Sequence, residues 1–259
     1  SGRSWRDVRV DNRFGIGSLA ARHDLDVRGT WLAAPAWSVE FDALTSARHY
    51  LDADDSVRSD FAEGSLDIVL RRTDAERGYS FGLDNGVEGL GYERTTALYL
   101  DAARHWHGVV FDARRGFDYF GGRAIFEREV VPDSVGLGYS GLAFDAYGLH
   151  SMSSDWSIAG DGAIYHRRHR DTAAHPNTTD LTGSARVEWR YALDWSAEAT
   201  VNGSRTSYSP PDSAYYDLRY IEPSLELVWW PAWGQLRAGP LVGWQRSPTL
   251  ASEEYYQWG

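Results

Sequence analysis

Hydrophobic and polar residues alternate along the segment from Thr179 to Ser207. Between Leu181 and Leu193 the apolar side chains fall on one parity of the chain and most of the polar side chains on the other. A second alternating run extends from Trp195 to Asn202. A period of two residues is that of a β-strand, whose successive side chains point to opposite faces of the sheet. The pattern predicts a β-hairpin with one apolar face, one polar face and unusually long strands.

Tight turn signals recur along the whole chain at a nearly constant interval. They are centred near residues 34, 75, 115, 153, 193 and 232, which are 38 to 41 residues apart. Longer polar connections, such as the one from Asp171 to Thr178, alternate with the tight turns. The spacing predicts a series of hairpins with tight turns at one end and longer loops at the other.

The alternating runs between these turns predict fourteen strands, with twelve as the alternative. The apolar parity changes between Phe14 and His23, so we expect a bulge or a loop there. The predicted strands lie within Arg3–Leu19, at His23–Ala33, Trp37–Tyr50, Ser59–Thr73, Tyr79–Tyr92, Thr96–Asp112, Phe117–Val131, Val135–His150 and Asp155–Arg170, in the two arms of the hairpin, and at Tyr215–Trp230, Gly234–Ser247 and an incomplete Glu253–Gly259.

A repeat of about 40 residues is also compatible with the blades of a β-propeller. A four-stranded blade needs about two further turns inside each repeat. Segments such as Ala97–Phe111 contain no such turn signal. We therefore favour long hairpin strands in a single domain that spans residues 1–259.

Composition excludes several classes of function. The 259 residues contain no cysteine, so disulfides and thiolate chemistry are excluded. All 26 basic residues are arginine, and the net charge of −11 argues against nucleic acid as a partner. No apolar run approaches the ~20 residues of a membrane-spanning helix, a test that does not detect alternating strands.

Aromatic residues gather beside the tight turns. Strand propensity explains their number but not this clustering, which is typical of amphipathic rings at the level of lipid headgroups. We predict that the following residues are membrane-interface anchors: Trp31, Trp37, Tyr79, Phe117, Trp156, Trp189, Tyr191, Trp195, Trp229, Trp230 and Trp233.

The dyad segments ARVEWRYAL and WSAEATVNGS, the alternation of tight turns with loops, and the aromatic rims resemble the general class of Gram-negative outer-membrane β-barrels. The resemblance covers nearly the whole chain but includes no family-specific motif. It implies an all-β, antiparallel, up-and-down transmembrane β-barrel of about 14 strands in the bacterial outer membrane. Members of this class usually close on a strand that ends in an aromatic residue. This chain departs from that pattern at Tyr255–Gly259, where the last strand has barely begun. A looser likeness is to barrels of polysaccharide export, from which no residue roles carry over.

The polar parity of the strands predicts a lumen lined by charges of both signs. The two imidazoles of His105 and His107 share one parity, but no third metal ligand is identifiable, so we predict polar lining rather than a metal site. The predicted lumen-lining residues are Glu40, Asp42, Asp67, Arg71, Asp84, His105, His107, Arg123, Glu127, Arg186, Glu188, Arg190, Glu198, Glu222, Glu226 and Arg237.

Motifs for catalysis or cofactor binding are not found in the sequence. Asp52, Asp54 and Asp55 lack the glycine and the distal glutamate of a recognised calcium loop. His150, Ser151 and nearby polar residues lie beside a tight turn, whereas outer-membrane enzymes place such groups at the loop end. We therefore expect a protein that is not an enzyme and that needs no cofactor or metal.

These features predict a porin-like outer-membrane channel or export pore that passes a small or linear hydrophilic solute. One alternative is a non-conducting barrel that scaffolds or anchors a larger cell-envelope assembly. Another is an outer-membrane enzyme that acts at the loop end. The expected partners are outer-membrane lipid, lipopolysaccharide and envelope proteins, and not nucleic acid.

Overall fold

The chain is all-β. The computed structural model describes residues 4–17, 20–51, 59–93, 100–134, 136–173, 175–211, 215–247 and 254–258, and no helix occurs among them. Among these residues, no helix has the length and apolar character needed to cross a membrane. The strands are β1 Ser4–Ile16, β2 Ala20–Ala34, β3 Trp37–Tyr50, β4 Phe61–Asp74, β5 Tyr79–Tyr92, β6 Ala102–Arg115, β7 Asp118–Val130, β8 Tyr139–Ser151, β9 Trp156–His169, β10 Asn177–Ala192, β11 Trp195–Ser209, β12 Leu218–Trp229, β13 Leu236–Ala238, β14 Val242–Arg246 and β15 Glu254–Trp258.

The strands form one up-and-down sheet in chain order, and each ladder for which a register is given is antiparallel. The order begins at β1, runs through β12, and continues to β14 and β15. β13 has three residues, pairs with β12 and is not part of this order. The prediction of fourteen antiparallel strands in an all-β, up-and-down arrangement is therefore confirmed.

Tight turns join the strands where the sequence predicted them. Gly78 and Gly116 adopt positive φ angles of 71° and 65° in two of these turns, a conformation that glycine adopts without steric cost. The hairpin from Asn177 to Ser209 pairs in continuous register as far as Arg190, where an irregularity precedes the turn at 193–194.

The first hairpin has the loop that the sequence predicted and one irregularity that it did not. β1 ends at Ile16 and β2 begins at Ala20, so the connection between them lies within the segment from Phe14 to His23, where a bulge or a loop was expected. An irregularity that was not expected lies between Arg6 and Arg9, where Asp7 has a φ of 53°.

The single strand expected at Gly234–Ser247 is interrupted, because Pro240 has no amide hydrogen for a ladder. The aspartates at 52, 54 and 55 lie outside the described residues.

The polarity of the sheet is the reverse of that in a water-soluble protein. In β5, Phe81, Leu83 and Val87 are exposed, whereas the intervening Gly82 and Asp84 are buried. Across the described residues, only Val131, Tyr139 and Val228 are buried hydrophobic residues. Large exposed hydrophobic side chains occur in every strand from β1 to β13 except β2, whose large apolar side chains are half-buried. The apolar side chains therefore form the exposed face, and charged side chains occupy the more protected one.

The chain divides into two compact units. Unit 1 comprises Ser1–Phe111, Ile125–Gly141 and His169–His175, and unit 2 comprises Asp112–Ala124, Leu142–Arg168 and Pro176–Gly259.

Candidate functional site

Four strands of unit 2 place a row of polar side chains in direct register. Asp161 of β9 lies opposite Ser184 of β10, Ser184 opposite Asn202 of β11, and Asn202 opposite Glu222 of β12. The Ser184 hydroxyl donates a hydrogen bond to Asp161, and Asn202 Nδ2 donates to Glu222 Oε1 at 3.2 Å. The Tyr220 hydroxyl donates to the other oxygen of Glu222. We call Asp161, Ser184, Asn202 and Glu222 the polar row.

A second row lies nearer the tight turns and consists of glutamates. Glu188, Glu198 and Glu226 are directly opposite one another on β10, β11 and β12. The guanidinium of Arg237 lies 3.0 Å from both Glu198 and Glu226. We call Glu188, Glu198 and Glu226 the glutamate row.

Two further arginines complete the pairing of the glutamate row. Arg190 lies 3.4 Å from Glu188, and Arg186 lies 3.9 Å from Glu198. Each glutamate of the row therefore has a cationic partner.

A cavity of about 560 Å³ connects the two rows within unit 2. It is lined by Asp161, Asn202 and Glu222 from the polar row, and by Glu198, Arg186 and Arg237 from around the glutamate row. These groups offer carboxylate, amide and guanidinium contacts to a hydrophilic solute.

The polar side chains of unit 1 are held by ion pairs and by a half-buried indole. Arg71 Nε lies 2.9 Å from Glu40 Oε1, and Arg28 lies 3.8 Å from Asp42. Of these residues, Arg28, Glu40 and Asp42 line a smaller cavity of about 310 Å³. Elsewhere in unit 1, Arg104 pairs with Glu88.

Trp106 of β6 faces the carboxylates of unit 1. Its indole Nε1 donates to Asp84 Oδ1 at 3.1 Å and to Asp67 Oδ1 at 3.3 Å. The ring lies over Gly86, where a Cβ atom would stand only 2.0 Å from Trp106 Cζ2. The absence of a side chain at position 86 therefore makes room for the indole on the polar face.

Two of the residues predicted to line the lumen lie on the opposite face. His107 Nδ1 is 2.7 Å from Asn85 Oδ1, and Asn85 shares the exposed parity of β5 with Leu83 and Val87. His105 lies beside His107, with ring centroids 5.7 Å apart. The prediction that these histidines point to the polar face is wrong, because Trp106 between them occupies that face.

The other residues predicted to line the lumen share the polar parity of their strands. Whether this face encloses a lumen stays a prediction. The residues are Glu40, Asp42, Asp67, Arg71, Asp84, Arg123, Glu127, Arg186, Glu188, Arg190, Glu198, Glu222, Glu226 and Arg237.

Sequence reasoning missed several charged residues on the same face. Arg28 reaches both Asp26 and Asp42, and Arg104 pairs with Glu88. Arg104 has the parity of Trp106, so assigning that indole to the polar face would also have identified Arg104.

Aromatic side chains beside the tight turns of unit 2 form a continuous row. Trp156 stacks on Trp189 with centroids 5.6 Å apart, and Trp189 contacts Tyr191 at 5.3 Å. Trp195 lies 6.4 Å from Tyr191 and stacks on Trp229 at 5.5 Å. The row ends at Trp233, 6.2 Å from Trp229.

The remaining aromatic residues of the predicted set are distributed over both units. In unit 1, Trp31 lies 6.3 Å from Trp5, the Arg72 guanidinium lies over the ring of Trp37, and Tyr79 is exposed. In unit 2, Phe117 and Trp230 are exposed. Their role as membrane-interface anchors stays a prediction.

No protein-family model matches the chain, and no curated protein matches it. Among the described residues, no group of three or more histidine, cysteine, aspartate or glutamate side chains is arranged to hold a metal ion.

Proposed function

We propose that this chain forms a membrane-spanning β-barrel of the bacterial outer membrane and passes a small or linear hydrophilic solute along its polar face. The reversed polarity of the sheet is the observation that carries the proposal. Each Å² of apolar surface left in water costs about 25 cal/mol relative to burial. Exposed rows such as Phe81, Leu83 and Val87 are therefore disfavoured in water and suited to hydrocarbon.

Strand length and backbone pairing support the same proposal. A membrane-crossing β-strand needs about 9–11 residues, and the complete strands from β1 to β12 contain 12 to 16. Backbone groups have no water to bind in hydrocarbon, so the sheet must close on itself in the membrane. The aromatic row beside the tight turns has the character of an anchor at the lipid headgroups, with lipid and lipopolysaccharide as the partners.

Planar-bilayer recording tests the passage of solute. The full chain, folded in detergent and added to a bilayer, is expected to produce discrete conductance steps in KCl. A folded protein that never opens the bilayer would contradict the proposal.

Two neighbouring substitutions test which face contacts lipid. Val201→Arg places a charge on the exposed face of β11, and Asn202→Arg places the same charge on the polar face. An arginine at the bilayer midplane costs about 2–4 kcal/mol on a lipid-contacting face. We expect Val201→Arg to impair folding into vesicles and Asn202→Arg to have little effect. Equal folding yields would contradict the assignment of the faces.

The position of the Trp106 indole favours one alternative function, that of a non-conducting scaffold or anchor. A large ring on the polar face of unit 1 fills space that a wide passage would leave open. A sealed barrel that co-purifies with a stable envelope protein would instead indicate a scaffold or an anchor for a larger assembly.

A further inference from the structure

The carboxylates of the two rows in unit 2 differ in how their charges are balanced. Three glutamates of the glutamate row face three arginines at 3.0 to 3.9 Å. In the polar row, Asp161 accepts a hydrogen bond from the Ser184 hydroxyl. Glu222 accepts from the Asn202 amide and the Tyr220 hydroxyl. Among the described residues, every hydrogen-bond partner of Asp161 and Glu222 is therefore neutral.

The two uncompensated carboxylates line the cavity. Asp161 and Glu222 both border the space of about 560 Å³, and Asp161 is exposed. Ser184 and Asn202 lie between them in the register and carry no charge. The cavity therefore carries two fixed negative charges that no arginine offsets. The net charge of −11 for the whole chain has the same sign.

We infer that the solute passing along this face is cationic, and that Asp161 and Glu222 of the polar row set the preference for cations over anions. The inference rests on the proposed function. Fixed charge on the low-dielectric walls of a cleft concentrates counter-ions and repels co-ions. The arginines around the glutamate row cancel that effect locally, whereas the hydroxyl and amide groups of the polar row do not.

The reversal potential of the open channel in a KCl gradient measures this preference. We expect the unmodified chain to favour K⁺ over Cl⁻ by about ten-fold, the lower end of the enrichment that charge-lined clefts produce. In the double variant Asp161→Asn/Glu222→Gln the ratio is expected to fall close to one. The substitutions keep the shape of both side chains and remove two negative charges.

A second double variant tests whether the position of the removed charges matters or only their number. Glu76→Gln/Asp133→Asn also removes two carboxylates, from turns outside the strands. This control is expected to retain the full preference for K⁺. If both double variants shift the reversal potential equally, the polar row does not set the selectivity and the inference is wrong.

The outcomes distinguish this inference from the proposed function. Openings of the unmodified chain that show no cation preference, or an anion preference, overturn the inference and leave the channel intact. A folded chain that never opens refutes the channel and the inference together. Even if a variant fails to fold, the measurement on the unmodified chain decides whether cations are preferred over anions.

Discussion

Gly86 lies directly beneath the indole ring of Trp106, and the substitution Gly86→Ala tests that packing. The added Cβ would stand 2.0 Å from Cζ2 and 2.2 Å from Cε2 of the ring. Ordinary contact between carbon atoms needs about 3.5–4.0 Å. The indole must therefore move by roughly 1.5 Å, which takes its Nε1 out of hydrogen-bond reach of Asp84 and Asp67.

The magnitude follows from the hydrogen bonds that are lost. A hydrogen bond to a charged group contributes about 1.5–3 kcal/mol. Asp84 is 1% exposed, so water cannot easily replace the indole as its donor. Asp67 is less buried and recovers part of its loss from water. We expect Gly86→Ala to lower the free energy of unfolding by about 2–3 kcal/mol.

Urea-induced unfolding of the chain folded in lipid vesicles, followed by circular dichroism, measures the change. Gly89→Ala is the matched control, because the same substitution in the same strand meets no atom within 4 Å. The control is expected to change stability by less than about 0.5 kcal/mol. In a Trp106→Leu background, where the ring is gone, Gly86→Ala is expected to cost much less. Equal effects of the two alanine substitutions would refute the packing argument.

Two further changes test which face His105 and His107 occupy and how closely Gly239 approaches Leu225 of β12. His105→Leu/His107→Leu is expected to leave conductance and ion selectivity unchanged, because both imidazoles lie on the exposed face; a changed reversal potential would contradict that placement. Gly239→Ala places a Cβ 1.8 Å from the carbonyl oxygen of Leu225 and is expected to destabilise the protein by about 1–3 kcal/mol in urea unfolding. Gly234→Ala meets open space and serves as its control, so matching losses would argue against a close approach at Gly239.

The alternation of side chains made most of the sheet predictable from the sequence. From Leu181 to Tyr191 in β10 and from Trp195 to Asn202 in β11 the apolar and polar parities are unbroken, and the turn between the strands is short. Residue spacing alone then sets which side chains share a face. The bounds of β3 and β5 match the prediction at both ends for the same reason.

The misplaced histidines show where alternation is insufficient. Trp106 is apolar over most of its surface. Alternation alone therefore predicts that Trp106 contacts lipid and that His105 and His107 point to the polar face. Its indole N–H needs an acceptor when buried, and the carboxylates of Asp67 and Asp84 supply one. Gly86 is the sequence signal for this arrangement, but it identifies Trp106 only once the register of β5 against β6 is known.

Register also explains why the sequence does not predict that the four residues of the polar row are neighbours. Asp161 and Glu222 lie three strands apart, and one tight turn and two longer connections determine that they share a row. A shift of one residue in any of these connections would move a strand's side chains to the other face. The sequence predicts which residues are polar, whereas only the pairing of the strands determines which of them are neighbours.

Burial accounts for the difference between the two rows. Glu198 is 4% exposed, and an unpaired carboxylate at such a position would be strongly destabilised, so Arg237 and Arg186 neutralise it. Asp161 is exposed, and water stabilises its charge without a cationic partner. The carboxylate of Asp161, which has no cationic partner, is thus one that keeps its contact with water. Fixed charge in contact with water is also what acts on a passing ion, so the same burial pattern that stabilises the sheet gives the polar row its expected selectivity.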